Sequence, residues 1–125
     1  VKGTKPRLVV DNSAMARAPG APTWLAREAK AEWRRVIPGL VNRRIITTTD
    51  LGTLENYCVA IGQVRQIQRR LQEIGGIDLQ LMRLQNQTMA TARQHAAELG
   101  LTPVSRSRPT IREDGDDEDI SDLDL

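Results

Sequence analysis

The chain reads as an all-α protein, a short N-terminal helix packed on a long antiparallel helical hairpin. Three observations predict this. Apolar residues recur at intervals of three and four in three separate stretches. No stretch of strand length alternates apolar with polar residues. Gly75-Gly76 separates the two longest helical stretches, and a glycine pair there favours a cap and a reversal into an antiparallel neighbour.

Residues 1–22 hold Pro6, Pro19 and Pro22, two glycines, and the bases Lys2, Lys5, Arg7 and Arg17. So little apolar surface predicts a flexible basic arm. From Thr23 the pattern turns helical. Leu25, Ala29, Trp33, Val36 and Leu40 share one face, while Arg27, Lys30, Glu32, Arg34 and Arg35 lie mostly elsewhere. Pro38 removes an amide donor, so this helix stops or kinks there. Residues 41–46 form a turn or a brief extended link. Thr47, Thr48 and Thr49 followed by Asp50 supply hydroxyl caps and an acid, the composition of a helix start.

The second helix is expected to run to about Ile74. Tyr57, Ala60, Val64, Ile67, Leu71 and Ile74 are spaced as a heptad seam, widened early by Leu51, Leu54, Cys58 and Ile61. That seam serves either the core of the hairpin or contact with other copies of the chain. Asp78 starts a third helix with a thinner stripe: Leu79, Met82, Met89, Ala92, Ala96 and Leu99, with Leu81 and Leu84 alongside. Gly100 closes it and Pro103 prevents resumption. Residues 23–102 thus form one helical domain, and residues 103–125 are expected to be a disordered tail, acidic from 113.

The 125 residues are 39% hydrophobic and 2% aromatic, with no Phe, so the core is small and aliphatic. A chain this short buries only roughly 60–70% of its unfolded surface, and self-association is the usual compensation. Cys58, the single cysteine, excludes an intrachain disulfide or a cysteine-rich zinc site. Apolar runs are only a few residues long and the Lys- and Pro-bearing start lacks a signal-like stretch. A soluble intracellular protein with no membrane partner is expected.

The net charge of +2 conceals an asymmetry. Residues 113–125 carry eight acids and no base. All 18 Lys and Arg lie in residues 1–112 beside the other eight acids, so a body at +10 precedes a segment at −8. Such a body suits a polyanionic partner, although solvated faces kept charged for solubility are the plain alternative. Catalytic patterns are lacking. No Gly-rich loop ends in Lys and Ser or Thr. The acids clustered at 113–124 lie in the expected tail rather than on a scaffold that fixes metals. His95 is the lone histidine and lines the hairpin or faces water. Cys58, among Leu54, Tyr57 and Ile61, suits a buried small hydrophobe. A non-enzymatic protein without cofactor or metal is expected.

Several blocks together resemble the phage terminase small subunit family. They are Gly3-Thr4-Lys5-Pro6, Ala21-Pro22-Thr23-Trp24-Leu25 and Glu28-Ala29-Lys30-Ala31-Glu32-Trp33. Asp50-Leu51 through Leu54, Glu55, Tyr57 and Cys58 follows, then Ala97-Glu98-Leu99-Gly100-Leu101-Thr102-Pro103 with Ser105, Arg106 and Arg108. Each block is weak alone, but they occur in family order over residues 3–108. The resemblance implies a homo-oligomeric ring, of roughly eight to eleven subunits. It also implies recognition of the packaging site on viral double-stranded DNA and binding to a large terminase subunit that owns the ATPase and nuclease.

On that reading, phosphate neutralisation falls to Lys2, Lys5, Arg7 and Arg17 of the arm, to Arg27, Arg34, Arg35, Arg43 and Arg44 of the first helix and its exit, and to Arg106 and Arg108. A solvated helix face is the alternative for Arg34 and Arg35. If the first helix and its successor form a helix-turn-helix, bases are read there. Self-association is assigned to Tyr57, Val64, Ile67, Leu71 and Ile74, with Arg65, Arg69 and Arg70 in inter-subunit ion pairs. Ile120, Leu123 and Leu125, interleaved with acids, are assigned to docking on the large subunit; a solubilising tail or a DNA mimic that shields the body are the alternatives. The rival readings are a small dimeric DNA-binding transcriptional regulator and a structural adaptor whose basic face binds protein.

Overall fold

The computed structural model describes residues 14–103. Three helices follow in order: α1 (Arg27–Asn42), α2 (Leu51–Ile74) and α3 (Leu79–Glu98), with a 3₁₀ turn over Thr48–Asp50 before α2. Among the described residues no strand forms beyond one isolated antiparallel bridge, Ala14 with Thr47. The all-α expectation holds. α2 is the central helix, with α1 and α3 each packed against it.

The start of α1 lies later than the apolar pattern suggests. The Pro22 carbonyl accepts from the Leu25 amide at 3.2 Å, so residues 22–25 turn. Ala26 is extended at φ −67°, ψ 164°, and the helix opens at Arg27. Pro38 does not stop it. Pro38 is exposed, while Val36, Ile37 and Leu40 are buried, and their packing carries the helix on to Asn42. The end is a Schellman motif: the Arg44 amide donates to Val41 and the Ile45 amide to Leu40, both at 3.0 Å. Arg44 takes the left-handed conformation at φ 56°, where glycine is the usual occupant.

α2 starts as its composition predicts. The Asp50 carboxylate accepts from the Thr47 amide at 3.0 Å and the Thr47 hydroxyl at 2.9 Å. Gly75, at φ 72°, caps its end, and the Asp78 carboxylate accepts from the Leu81 amide at 2.9 Å to open α3. α3 ends in a second Schellman motif with Gly100 at φ 75°, and Gly100 stands against Ile45 in the connection after α1.

The core sits at the base, where α1, the 43–50 connection and the two ends of the hairpin converge. Trp33, Leu40, Ile46, Leu54 and Cys58 are its most deeply buried apolar members, with Ala92, Ala96 and Leu99 supplied by α3 and its end. α1 approaches α2 closely at one point: a Cβ on Gly62 would stand 3.0 Å from the Ala29 backbone nitrogen. Farther from the base the hairpin seam becomes polar. Buried Gln85 donates to Gln68 Oε1 at 2.9 Å, and Thr88 Oγ1 donates to the Leu84 carbonyl at 2.7 Å.

Residues 14–22, which composition alone assigns to a flexible arm, are laid onto this base. The Met15 amide donates to the Ile46 carbonyl at 3.0 Å, Trp33 Nε1 donates to the Pro19 carbonyl at 2.9 Å, and Met15 and Ala21 pack on the core. The partners that order them lie far along the chain, which local composition does not register. Among the described residues, no helix is long and apolar enough to cross a membrane.

Candidate nucleic-acid interface

α1 sorts its charges by face. Its two acids turn toward α2. Glu32 is fully buried, and its carboxylate accepts from Arg35 Nε and Nη2 at 2.9 and 2.6 Å, Tyr57 Oη at 2.6 Å and Arg65 Nη2 at 2.9 Å. One turn earlier, Glu28 accepts from the Arg69 guanidinium and from Gln66 Nε2 at 3.3 Å. The pairs Glu28–Arg69 and Glu32–Arg65 run in antiparallel register, four residues apart on each helix. Burial by itself would raise the Glu32 carboxyl, but hydrogen bonds from Arg35, Tyr57 and Arg65 and the Arg35 charge hold it below its ordinary value. A hydrogen bond to its own backbone and the bond from Arg69 lower Glu28. Burial and the neighbouring Glu32 carboxylate push the Tyr57 hydroxyl well above the ordinary tyrosine range.

The opposite face of α1 is basic. Arg27, Lys30 and Arg34 recur at steps of three and four, on the side away from the buried Ala29, Trp33 and Val36. Arg27 and Arg34 are exposed and Lys30 is half-buried. Arg27 also comes within 3.9 Å of Glu28, at the edge between the two faces. Arg43 and Arg44 continue the positive charge past the helix end, both exposed, with Arg43 Nε donating to the Gly39 carbonyl at 3.2 Å. With both acids of α1 engaged by α2, the outward side presents cations about one turn apart, an arrangement that fits phosphates along a backbone.

The remaining assigned cations divide. Arg17 is exposed in the segment before α1. Arg35 is tied to Glu32, although its side chain stays 64% exposed. Lys2, Lys5, Arg7, Arg106 and Arg108, with Ile120, Leu123 and Leu125, lie outside the described residues.

The heptad seam is used largely inside the hairpin. Tyr57 and Ile67 are buried, Val64 and Leu71 half-buried, and only Ile74 is exposed. The arginines assigned to inter-subunit pairs have partners within the chain: Arg65 with Glu32, Arg69 with Glu28, and Arg70 with Glu73 of its own helix at 3.2 Å. Within one chain, Arg65 and Arg69 thus hold α1 on α2, whereas the Arg70–Glu73 pair lies on the exposed surface of α2 itself. Apolar surface is exposed elsewhere, at Ile77 and Leu79 beside Ile74 on the hairpin tip and at Leu84 and Met89 on α3.

Glu32 is the residue that the pattern misses. Periodicity sets it among the polar residues outside the apolar face, yet it is completely buried. The available signal is spacing: Glu28 and Glu32 stand four apart, as do Arg65 and Arg69. Among the described residues no group of three or more His, Cys, Asp or Glu could hold a metal ion. Burial pushes the Cys58 thiol up to about 12, which leaves it a poor nucleophile. His95 Nδ1 is buried without a hydrogen bond, 3.5 Å from the Glu98 carboxylate.

A family model described as phage terminase, small subunit, matches residues 29–116. No curated protein and no solved structure matches the chain.

Proposed function

The chain belongs to the phage terminase small subunit family and so has a role in phage DNA packaging; from that premise we propose that it binds viral DNA at the packaging site and recruits the large terminase subunit in the infected host cell. The observation that carries the DNA-binding part is the sorting of charge on α1. Glu28 and Glu32 are held by Arg69 and Arg65, which leaves Lys30 and Arg34 facing out with Arg27, the last meeting Glu28 only at the edge of that face. Arg43 and Arg44 extend this face, and Arg17, Lys2, Lys5, Arg7, Arg106 and Arg108 add charge from the flanking segments.

Each subunit offers few contacts, so useful affinity comes from repetition. A ring of copies raises the effective concentration of every later contact once the first has formed. The apolar tip (Ile74, Ile77 and Leu79), with Leu84 and Met89 exposed in the grooves on either flank of α3, offers surface for such assembly. The large subunit supplies the ATPase and nuclease, and docks on the acidic-apolar segment through Ile120, Leu123 and Leu125.

Two measurements test this reading on the full chain. Binding of labelled duplex DNA should weaken steeply and linearly in log–log form as salt rises. Solution mass by light scattering should be a fixed multiple of 13.9 kDa that survives high salt. A salt-independent or undetectable DNA affinity sinks the DNA assignment, and a stable monomer or dimer sinks the ring.

A further inference from the structure

Trp24 is 62% exposed immediately before α1, whereas the only other tryptophan, Trp33, is buried and bonded to Pro19. Trp24 walls a groove of about 200 Å³ with Ala26, Ala29, Val59 and Gly62, rimmed on the α2 side by Gln63 and Gln66. Its floor is shallow because Gly62 lets α1 and α2 approach closely. An exposed indole over small apolar residues is an anchoring pocket in search of an aliphatic side chain. The groove lies at the N-terminal end of α1, where Ala26 is followed directly by Arg27, the first cation of the outward stripe that continues through Lys30 and Arg34 to Arg43 and Arg44.

We propose that the acidic segment 113–125 of this chain folds back along the basic stripe of α1 and seats Ile120, Leu123 and Leu125 at the Trp24 groove. Three arguments select this occupant. Charge is the first: eight acids and no base lie in the segment, against a stripe of bases that meets an acid only at its edge, where Glu28 stands 3.9 Å from Arg27 and is itself bonded to Arg69. Composition is the second, because the apolar residues stand among the acids, as a ligand for an apolar groove with a basic flank requires. Reach is the third. The described chain stops at residue 103, just past Gly100, which packs on Ile45 near the far end of α1. The 16 residues of α1 span about 24 Å. Residues 104–112 alone cover up to roughly 30 Å when extended, so the acids can run along the stripe and the apolar residues can arrive at Trp24.

The docking itself stands on this surface alone; its consequence rests on the DNA-binding reading. A segment lying on α1 covers the cations assigned to phosphate and competes with DNA for them. Capture of the same segment by the large subunit would then expose the DNA-binding face at the moment of handover.

Trp24 reports on the contact directly. Acrylamide quenching of tryptophan emission is compared between the full chain and a chain ending at Arg112, at low and at high salt. At low salt the full chain should be less quenchable and blue-shifted relative to the shortened one. High salt should erase the difference, and a peptide of residues 113–125 should restore protection to the shortened chain. The full-length variant Ile120→Ser/Leu123→Ser/Leu125→Ser should behave as the shortened chain, and Trp24→Phe should remove the response because Trp33 is buried. Equal quenching of the full and shortened chains at low salt overturns the proposal, as does a response that survives Trp24→Phe. Because no DNA is present, failure of the DNA-binding reading would leave these outcomes unchanged. If both hold, the shortened chain also binds duplex DNA more tightly than the full chain at low salt.

Discussion

Glu32 shows how much one side chain can organise. A carboxylate with no exposure is costly unless its lone pairs are filled, and here two arginines and a tyrosine fill them. The arginines keep 64% and 43% of their side-chain exposure, so their own desolvation is modest. Glu32→Gln keeps the shape but removes the charge that gathers these donors. It should cost roughly 2–3 kcal/mol, read as a lowered midpoint in urea unfolding. Glu28 and Glu32 both titrate lower in the folded chain than their ordinary 4.5. Their contribution to stability is therefore complete above that value and lost as pH falls through the lower folded-state values. Melting temperature should drop below about pH 4.5 more steeply in the parent than in Glu32→Gln; parallel curves would remove Glu32 from the account. Arg44 is the second telling residue. A left-handed conformation costs a side chain roughly 1–2 kcal/mol, part of which glycine returns as unfolded-state entropy. Arg44→Gly should stabilise the chain by up to about 1 kcal/mol and weaken DNA binding. A variant that gains stability with DNA affinity intact would mean that the strain serves something else.

At the scale of the element, α1 works as a partition. One side is an apolar wedge, one edge is an acidic ladder read by α2, and the far side is a basic stripe. Its apolar periodicity was legible in the sequence, since Leu25, Ala29, Trp33, Val36 and Leu40 are all buried. The division of its charges was not legible, because Glu32 and Arg34 look alike to a periodicity argument and are separated only by what stands opposite. The caps were readable at Asp50, Gly75, Asp78 and Gly100, where local chemistry decides. Replacing Arg27, Lys30 and Arg34 together by Ala touches nothing in the core, so thermal stability should change little. The log–log salt slope of DNA binding should fall by roughly 0.9 for each phosphate that these cations neutralise in the parent. An unchanged slope would move the interface off α1.

For the whole molecule, the proposed ring requires apolar surface that the hairpin leaves free. Tyr57 and Ile67 are spent inside, and the outward apolar residues gather at the tip and along α3. Ile77 and Leu79, at 79% and 62% exposure, can be changed without opening the core. The variant Ile77→Asp/Leu79→Asp should keep its helical circular dichroism while its mass falls toward the 13.9 kDa of one chain. Retention of the parent mass would remove the tip from the proposed assembly surface. The core is small, with Trp33 and Tyr57 as its aromatics, and the seam beyond it holds the polar Gln68–Gln85 pair, so support from further copies would add apolar burial that one chain lacks.

The sequence by itself determined the three helices, the reversal at Gly75-Gly76 and the caps, because periodicity and capping act over a few residues. Its ordered blocks also pointed to the terminase small subunit family, to which the chain belongs. Tertiary structure alone decided that Tyr57 and Ile67 of the heptad seam are buried within the chain, that Arg65 and Arg69 bind Glu32 and Glu28, and that residues 14–22 lie on the base. Each of those outcomes depends on which surface a residue meets across the fold. Partners 14 to 41 residues apart set the charge pattern and the burial, and no local window of the chain contains both members of such a pair.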